Sequence, residues 1–215
     1  FTPVSWDQAL TDIAARLMAI AKENPERIVP YSYAGTMGLV QGESMAMRFF
    51  NQLGASRLDR TICSSAGGAG LSYTIGRVGM DMEFAQDAHL IILWGSYPIA
   101  SNLHFWTRVQ EAKRKGAYMV AIDPYRSLSA EKCHEHLALL PGTDGALALA
   151  LAHVLIREGL LDEDYISQHT MGFEDYKARV DAWPPQRAAQ VCGVSAAQIE
   201  ELAVRYGKIA LSGQG

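Results

Sequence analysis

Residues 89–124 decide the fold, and they read HLIILWGSYPIASNLHFWTRVQEAKRKGAYMVAIDP. The run 89–94 is apolar, is short enough to be a buried strand and ends at Gly95. Residues 103–115 have the apolar spacing of a helix, and residues 118–122 form a second apolar run. Two buried strands that flank one helix predict a βαβ unit in a parallel sheet covered on both faces.

The remaining chain continues this alternation. Helical spacing or capping signals predict helices at residues 5–24, 44–53, 146–157, 162–168, 173–182 and 195–206. Short apolar runs predict strands at residues 28–33, 137–140 and 209–211. We find no internal repeat and no low-complexity tract.

The fold class predicted from these elements is α/β. We expect three layers, with a doubly wound, mostly parallel, Rossmann-like sheet, and with part of a neighbouring α/β domain. Residues 1–60 are assigned to the N-terminal part of a first α/β domain, residues 61–208 to a Rossmann-like cofactor-binding domain, and residues 209–215 to the start of a return into the first domain. Both chain ends are expected to be boundaries within a longer protein.

Composition excludes several function classes. The chain is 49% hydrophobic with a formal net charge of −4, and its 19 basic and 23 acidic residues are interspersed. We therefore expect no nucleic-acid partner and no anionic membrane partner. No apolar run approaches the roughly 18 residues of a membrane span, so no direct membrane span is expected, while the compartment is left open.

The cysteines suggest neither a disulfide framework nor a zinc knuckle. Cys63, Cys133 and Cys192 are far apart and form no CxxC pair. Residues 133–136 read Cys-His-Glu-His, but adjacent side chains on a strand point to opposite faces, which disfavours a metal site there. Cys192 is interpreted as a small apolar core residue.

Three loops that follow predicted strands concentrate glycine and polar residues. They are residues 94–98 (WGSYP), 123–127 (DPYRS) and 141–145 (PGTDG). In doubly wound sheets, ligands bind outside the carboxyl ends of the strands, where these loops lie. Glycines let backbone N–H groups approach phosphate, and carboxylates accept hydrogen bonds from a ribose or a guanine edge, so the loops predict a nucleotide site. No GxGxxG, Walker or HExxH motif is present.

Together with residues 63–71 (CSSAGGAGL), these loops give the chain its resemblance to a known family. The order of CSSAGGAGL, WGSYP, IDP at 122–124 and PGTDGAL at 141–147 resembles the dimethyl sulfoxide reductase family of molybdopterin oxidoreductases along nearly the whole chain. The resemblance implies molybdenum or tungsten held by two molybdopterin guanine dinucleotides. It also implies an iron-sulfur cluster upstream of this chain and a downstream cap for the second pterin.

The resemblance further implies roles for individual residues. An aspartate, either Asp123 or Asp144, would contact the nucleotide end of one cofactor, with the backbone of Gly142 and Thr143 nearby. Cys63 stands where the family places the side chain that ligates the metal, and a thiolate suits a soft transition metal. Ser64 and Ser65 stay open as alternatives, because a slip of one residue would make a serine the ligand.

Tyr97 departs from the family pattern, which usually has asparagine before the proline of this turn. Gly95 and Ser96 are carried over as nucleotide-binding residues, and Asn102 is expected to supply a polar contact in place of the missing asparagine. His104, at the start of the following helix, is a further candidate.

The implied activity is oxygen-atom or hydride transfer at a small-molecule substrate, with electrons passing through iron-sulfur clusters to an electron-transfer subunit. The isolated piece is expected to be inactive, and the substrate is left open. Two alternatives remain: a non-catalytic electron-relay subunit that resembles the large iron-sulfur subunit of respiratory complex I, and a generic nucleotide-binding Rossmann domain.

Overall fold

The computed structural model describes residues 1–32, 38, 40, 44–59, 64–76 and 79–213. The chain divides into two compact units, Phe1–Gly79 and Met80–Gly215. The domain boundary predicted from the sequence lies after residue 60 instead. Residues 60–63 lie outside the described part, so the predicted division stays a prediction. Every helix within the described ranges is too short or too polar to span a membrane.

The first unit is helical over much of its described part. It contains the helices α1 (Trp6–Glu23), α2 (Ala46–Leu53) and α3 (Ser65–Tyr73), and a 3₁₀ turn at Pro25–Arg27. Ser5 accepts a hydrogen bond from the N–H of Gln8, whose side chain accepts one from the N–H of Ser5. This reciprocal cap stabilises the start of α1. The helices predicted at 5–24 and 44–53 are confirmed.

The strand predicted at residues 28–33 is wrong for its described part, because residues 28–32 pair with no other strand. Ile28 is buried, and its carbonyl accepts a hydrogen bond of 2.9 Å from the N–H of Ser56. Its N–H also donates to the carbonyl of Pro25 at 3.0 Å, so Ile28 is held by packing and local backbone bonds and not by a strand ladder among the described residues.

The second unit contains the sheet. Its elements are a 3₁₀ helix (Met82–Asp87), β1 (Leu90–Trp94), α4 (Pro98–Ser101), α5 (Leu103–Arg114), β2 (Tyr118–Ile122), α6 (Leu128–Glu131), β3 (Glu135–Leu137), α7 (Asp144–Arg157), α8 (Glu163–His169), α9 (Phe173–Asp181), α10 (Pro185–Cys192) and α11 (Ala196–Leu211).

The sheet is parallel, with the strand order β1-β2-β3. Leu90 pairs with Tyr118 at the start of β1, and Ile122 pairs with both Trp94 and Leu137 at the carboxyl ends. The parallel register brings the ends of the described strands, and the loops that follow them, to one edge of the sheet. This edge carries the predicted nucleotide site.

Alternation of side chains along the strands creates two apolar cores. On one face, Ile91, Leu93 and Met119 pack with Val109 and Ala112 of α5. On the opposite face, the buried residues come from β2, β3, α7, α10 and α11, and they include Val120, Ile122, Leu137, Leu147, Ala188 and Ile199. Helices thus cover both faces, which confirms the three-layer α/β fold.

Two further predicted strands, both in the second unit, need correction. The strand placed at residues 137–140 lies earlier, at Glu135–Leu137. After Leu137 the chain leaves the sheet, because the N–H of Leu139 bonds to the carbonyl of Leu137 and the N–H of Leu140 bonds to the carbonyl of Cys192. Leu139 remains buried, so its apolar character reflects the core and not a strand.

The strand predicted at residues 209–211 is also wrong, because these residues continue α11 to Leu211. No glycine or proline in a non-helical conformation interrupts the helix before Gly213, which has φ +71°. Gly207 does lie within α11, where its lack of a side chain permits close packing: a Cβ added there would lie 2.6 Å from Cβ of Leu160 and 2.8 Å from Cδ2 of Leu155.

Cys133 lies between α6 and β3 and belongs to the structure of this connection. Its Sγ bonds to the carbonyl of Ser129 at 3.3 Å. Burial raises the pKa of the Cys133 thiol to about 11, although the nearby Lys113 ammonium acts in the opposite direction. The thiol is thus protonated at neutral pH.

We expect Gly207→Ala to destabilise the protein by about 1–3 kcal/mol, since the added methyl overlaps Leu160 and Leu155. Gly145→Ala is the matched control, because Gly145 is also helical and a Cβ there would meet nothing within 4 Å. The control should be neutral or stabilising by up to about 1 kcal/mol. Urea unfolding measures the free energy of unfolding of both variants. If Gly207→Ala were as stable as Gly145→Ala, the close packing of Gly207 against Leu160 and Leu155 would be contradicted.

The raised pKa of Cys133 predicts slow alkylation. At pH 8 a thiol with a pKa of about 11 contains roughly a hundredfold less thiolate than an ordinary exposed thiol. The rate of iodoacetamide labelling, followed by mass spectrometry of the Cys133 peptide, should still rise above pH 10. If poor access of iodoacetamide to Cys133 were the cause of slow labelling, the rate would be low but would still level off near pH 9, as for an ordinary thiol. Such a plateau would contradict the raised pKa.

Candidate functional site

The candidate site is built from three segments at the carboxyl edge of the sheet. Gly95 directly follows β1, Asp123 directly follows β2, and residues 138–143 lead from β3 to the first residue of α7, Asp144. The parallel pairing of the strands places the first two segments next to each other. The third is joined to the first by a side-chain hydrogen bond.

That hydrogen bond links residues 50 positions apart: the indole Nε1–H of Trp94 donates to Oδ1 of Asp144 at 2.7 Å. Asp144 is the first residue of α7, where the helix dipole favours a negative charge. Trp94 retains 36% of its surface exposed. A rigid aromatic donor on the end of β1 thus holds a carboxylate at the start of α7.

Gly95 is required by its backbone conformation. Its φ is +57°, in the left-handed region that favours glycine, and a Cβ there would meet nothing within 4 Å. Its N–H donates to the carbonyl of Ile122 at 2.8 Å. The loop after β1 is therefore tied directly to the end of β2.

Asp123 is fixed by three hydrogen bonds. Its N–H donates to the carbonyl of Leu137 at 3.2 Å, and its Oδ1 accepts from the N–H of Tyr125 at 2.8 Å. Its carbonyl lies 2.8 Å from Nε2 of His136 on β3. The turn is thus anchored to the neighbouring strand, and one carboxylate oxygen is used within the turn itself.

The loop that contains Gly142 and Thr143 forms a tight turn. Gly142 has φ +80°, and the Thr143 hydroxyl donates to the carbonyl of Leu140 at 2.6 Å. The Thr143 side chain makes no capping bond to α7. Thr143 therefore shapes the loop through its hydroxyl, whereas Asp144 presents its charge at the start of the helix.

Ser96 and Asn102 occupy the rest of the loop after β1. Ser96 is half-buried beside Gly95. Oδ1 of Asn102 accepts from the N–H of Phe105 at 3.3 Å, and its Nδ2 lies 3.1 Å from the sulfur of Met82. These bonds make Asn102 the N-cap of α5, and they do not connect it to Asp123 or Asp144. Its predicted ligand contact stays a prediction.

Cys63 lies outside the described residues, so its predicted role as metal ligand also stays a prediction. Of the alternatives, Ser64 is the N-cap of α3 and Ser65 is the first residue of that helix. Both belong to the first unit, and the strand-end loops belong to the second.

Sequence reasoning overlooked three residues that support the strand-end loops. Trp94 was placed in the strand-end loop at residues 94–98 without a role of its own, and His136 only in a Cys-His-Glu-His run where a metal site was disfavoured. Ser129 is fully buried, and its Oγ accepts a hydrogen bond of 3.2 Å from the N–H of Ile99, which ties α6 to α4. No sequence pattern marks a serine such as Ser129 as a link between two helices. The indole N–H of a tryptophan at a strand end, in contrast, usually has a hydrogen-bond partner, so Trp94 could have been singled out.

A groove between α7 and α9 is a separate feature. Basic and acidic side chains both line it, including Arg157, Lys177, Glu174 and Asp181. It lies at the carboxyl-terminal half of α7, away from Asp144. Arg157 is already paired there with Glu158 and Glu200, so the groove shows no preference for one class of ligand.

Known proteins are similar to this chain along nearly its whole length. The family model for molybdopterin oxidoreductases matches residues 1–210. The probable oxidoreductase YoaE of Bacillus subtilis is 39% identical over 97% of this chain and 31% of its own length. Formate dehydrogenase H of Escherichia coli is 31% identical over 95% of this chain and 29% of its own length.

A solved structure is also similar to this chain along nearly its whole length. Acetylene hydratase from Pelobacter acetylenicus superimposes with a TM-score of 0.67 and 29% sequence identity, covering 94% of this chain and 28% of the hydratase. The chain thus spans less than a third of the length of these relatives. Because the family model covers almost every residue, the chain belongs to the molybdopterin oxidoreductase family.

Proposed function

We propose that this chain holds the nucleotide end of one molybdopterin guanine dinucleotide in a molybdenum or tungsten oxidoreductase. The hydrogen bond between Trp94 and Asp144 carries this proposal, since it joins two loops at the sheet edge where doubly wound folds bind ligands. Family membership supports a pterin cofactor with molybdenum or tungsten. The attachment of a guanine dinucleotide to this pterin is itself part of the proposal.

The chemistry of the edge fits such a cofactor. Guanine and ribose present N–H and O–H donors, and Asp123 and Asp144 supply carboxylate acceptors. Each aspartate has one oxygen already bonded within the protein, which leaves the other to face a ligand. The diphosphate, being anionic, suits backbone N–H groups beside glycines such as Gly95 and Gly142 better than it suits these carboxylates.

Cys63 is proposed as the protein ligand to the metal, with Ser64 and Ser65 as alternatives. A thiolate matches a soft transition metal, and binding keeps it deprotonated at neutral pH. The bound cofactor would supply the redox chemistry, cycling the metal between oxidation states during oxygen-atom or hydride transfer. The chain's own contribution is to fix one ligand and to orient the nucleotide.

The proposal for the full-length enzyme includes electron transfer through an iron-sulfur cluster upstream of this chain and a separate electron-transfer subunit. Relatives named for formate, nitrate and dimethyl sulfoxide chemistry support a small-molecule substrate. These relatives do not single out one substrate, because the residues that select the substrate would lie outside the strand-end loops.

The match to acetylene hydratase favours a second candidate, hydration of a small substrate without net electron transfer. The two are distinguished by an artificial electron carrier. An oxidoreductase should reduce or oxidise viologen dyes during turnover, whereas a hydratase should form product with no change in the dye.

The metal assignment predicts that the full-length protein contains molybdenum or tungsten and two pterins per chain. Cys63→Ala should alter the electron paramagnetic resonance of the metal and lower activity by roughly a hundredfold or more. Cys133→Ala is the matched control and should leave the metal signal unchanged. A changed signal in Ser64→Ala or Ser65→Ala, with none in Cys63→Ala, would move the ligand to a serine. Protein that matures without metal or pterin would overturn the proposal in favour of an electron-relay or plain nucleotide-binding role.

The nucleotide assignment predicts that cofactor-free full-length protein binds guanosine diphosphate and that Asp123→Ala and Asp144→Ala each weaken binding by about tenfold, the cost of one charged hydrogen bond. Asp175→Ala, an exposed position on α9, is the control and should bind normally. Isothermal titration calorimetry gives the affinities. Preference for NAD over guanosine diphosphate would contradict the assignment.

A further inference from the structure

Trp94 does not contribute to either apolar core of the described residues. The cores on the two sides of the sheet include its neighbours Ile92 and Leu93 but not Trp94 itself. Its ring lies at the edge of the sheet, 36% exposed. Its contribution is therefore not to these cores, and the only polar atom of its side chain donates to Asp144.

The Trp94–Asp144 bond controls which atoms of Asp144 are free. An indole N–H is a donor only, and at 2.7 Å its bond to Oδ1 is short, as expected for a charged acceptor. Asp144 is otherwise exposed on the first turn of α7. Without the indole, its carboxylate would rotate between several staggered conformations. With the indole in place, one acceptor position of Oδ1 is used and the plane of the carboxylate is held in one orientation, which leaves Oδ2 and the second acceptor position of Oδ1 for a ligand.

We propose that Trp94 is a positioning residue that makes the nucleotide site selective for guanine by fixing the carboxylate of Asp144. This inference rests on the proposed function and identifies Asp144 as the carboxylate that faces the base. Asp123 is less suited to that role, because it is half-buried, whereas Asp144 is exposed on the first turn of α7.

Selectivity follows from the donors of the two purines. The Watson–Crick edge of guanine offers adjacent N1–H and N2–H donors to a carboxylate, whereas the corresponding edge of adenine has one donor beside the lone pair of N1. A carboxylate held in one orientation faces that lone pair with a negative charge. A carboxylate that rotates freely can turn to the single adenine donor, so loss of the indole N–H should cost guanine more than adenine.

The test is a double-mutant cycle in cofactor-free full-length protein, with guanosine diphosphate and adenosine diphosphate as probes. Trp94→Phe keeps an aromatic ring and removes the donor. We expect it to weaken guanosine diphosphate binding by roughly tenfold and to leave adenosine diphosphate binding nearly unchanged. In the Asp144→Ala background, Trp94→Phe should have no further effect, since the residue acts through Asp144. Trp183→Phe is the control, because Trp183 stacks with Arg187 elsewhere in the unit.

The outcomes separate this inference from the proposed function. If wild-type protein binds no guanosine diphosphate, both are overturned. If Asp144→Ala weakens binding and Trp94→Phe does not, the nucleotide site stands and the inference fails. The inference also fails if Trp94→Phe weakens binding equally in both backgrounds, or lowers the affinity for both nucleotides by the same factor, since either result indicates a merely structural role.

A second measurement does not depend on the folding of a variant at position 94. In protein labelled with ¹⁵N at the tryptophan indoles, the Trp94 N–H signal should shift on addition of guanosine diphosphate and not on addition of adenosine diphosphate. A Trp94 signal that is unaffected by guanosine diphosphate at saturation would overturn the inference.

Discussion

Parallel pairing of β1, β2 and β3 is the constraint on which the rest of this structure depends. In a parallel sheet all strands end at the same edge, so the residues that follow them are brought together although they are distant in sequence. Gly95, Asp123 and Asp144 lie at this edge and are tied there by backbone and side-chain bonds. The two apolar cores hold the sheet between helices, and the site is formed by what extends beyond them.

The fold class was predictable because it depends on patterns that a sequence displays directly. Apolar runs at residues 89–94 and 118–122, with a helix between them, are sufficient for a covered parallel sheet. Two of the three strand errors have one cause. Residues 138–140 and 209–211 are as apolar as strands, but a short apolar run is equally compatible with a buried loop or the end of a helix. Only tertiary contacts, such as the bond from Leu140 to Cys192, decide between them.

The residues of the candidate site could be proposed from the sequence, whereas the hydrogen bonds that hold them could not. Glycines and aspartates after strands predict a nucleotide site at this edge, whereas the bonds between its segments join residues that no local pattern connects. Trp94 and Asp144 are 50 positions apart, and Ser129 and Ile99 are 30 positions apart. Asn102 shows the converse: a polar residue in the expected loop is used to cap α5. Family membership adds the metal and the pterin, which the strand-end loops alone do not indicate.

The central claim is that the carboxyl edge of this sheet holds the guanine end of a metal-bearing pterin. Crystallography of the full-length holoenzyme, with anomalous data at the molybdenum and tungsten edges, tests it most directly. The account predicts one strong anomalous peak adjacent to Cys63 and continuous cofactor density that ends with a guanine facing Asp144. Cofactor density that avoids Gly95, Asp123 and Asp144, or the absence of an anomalous peak in active protein, would contradict it.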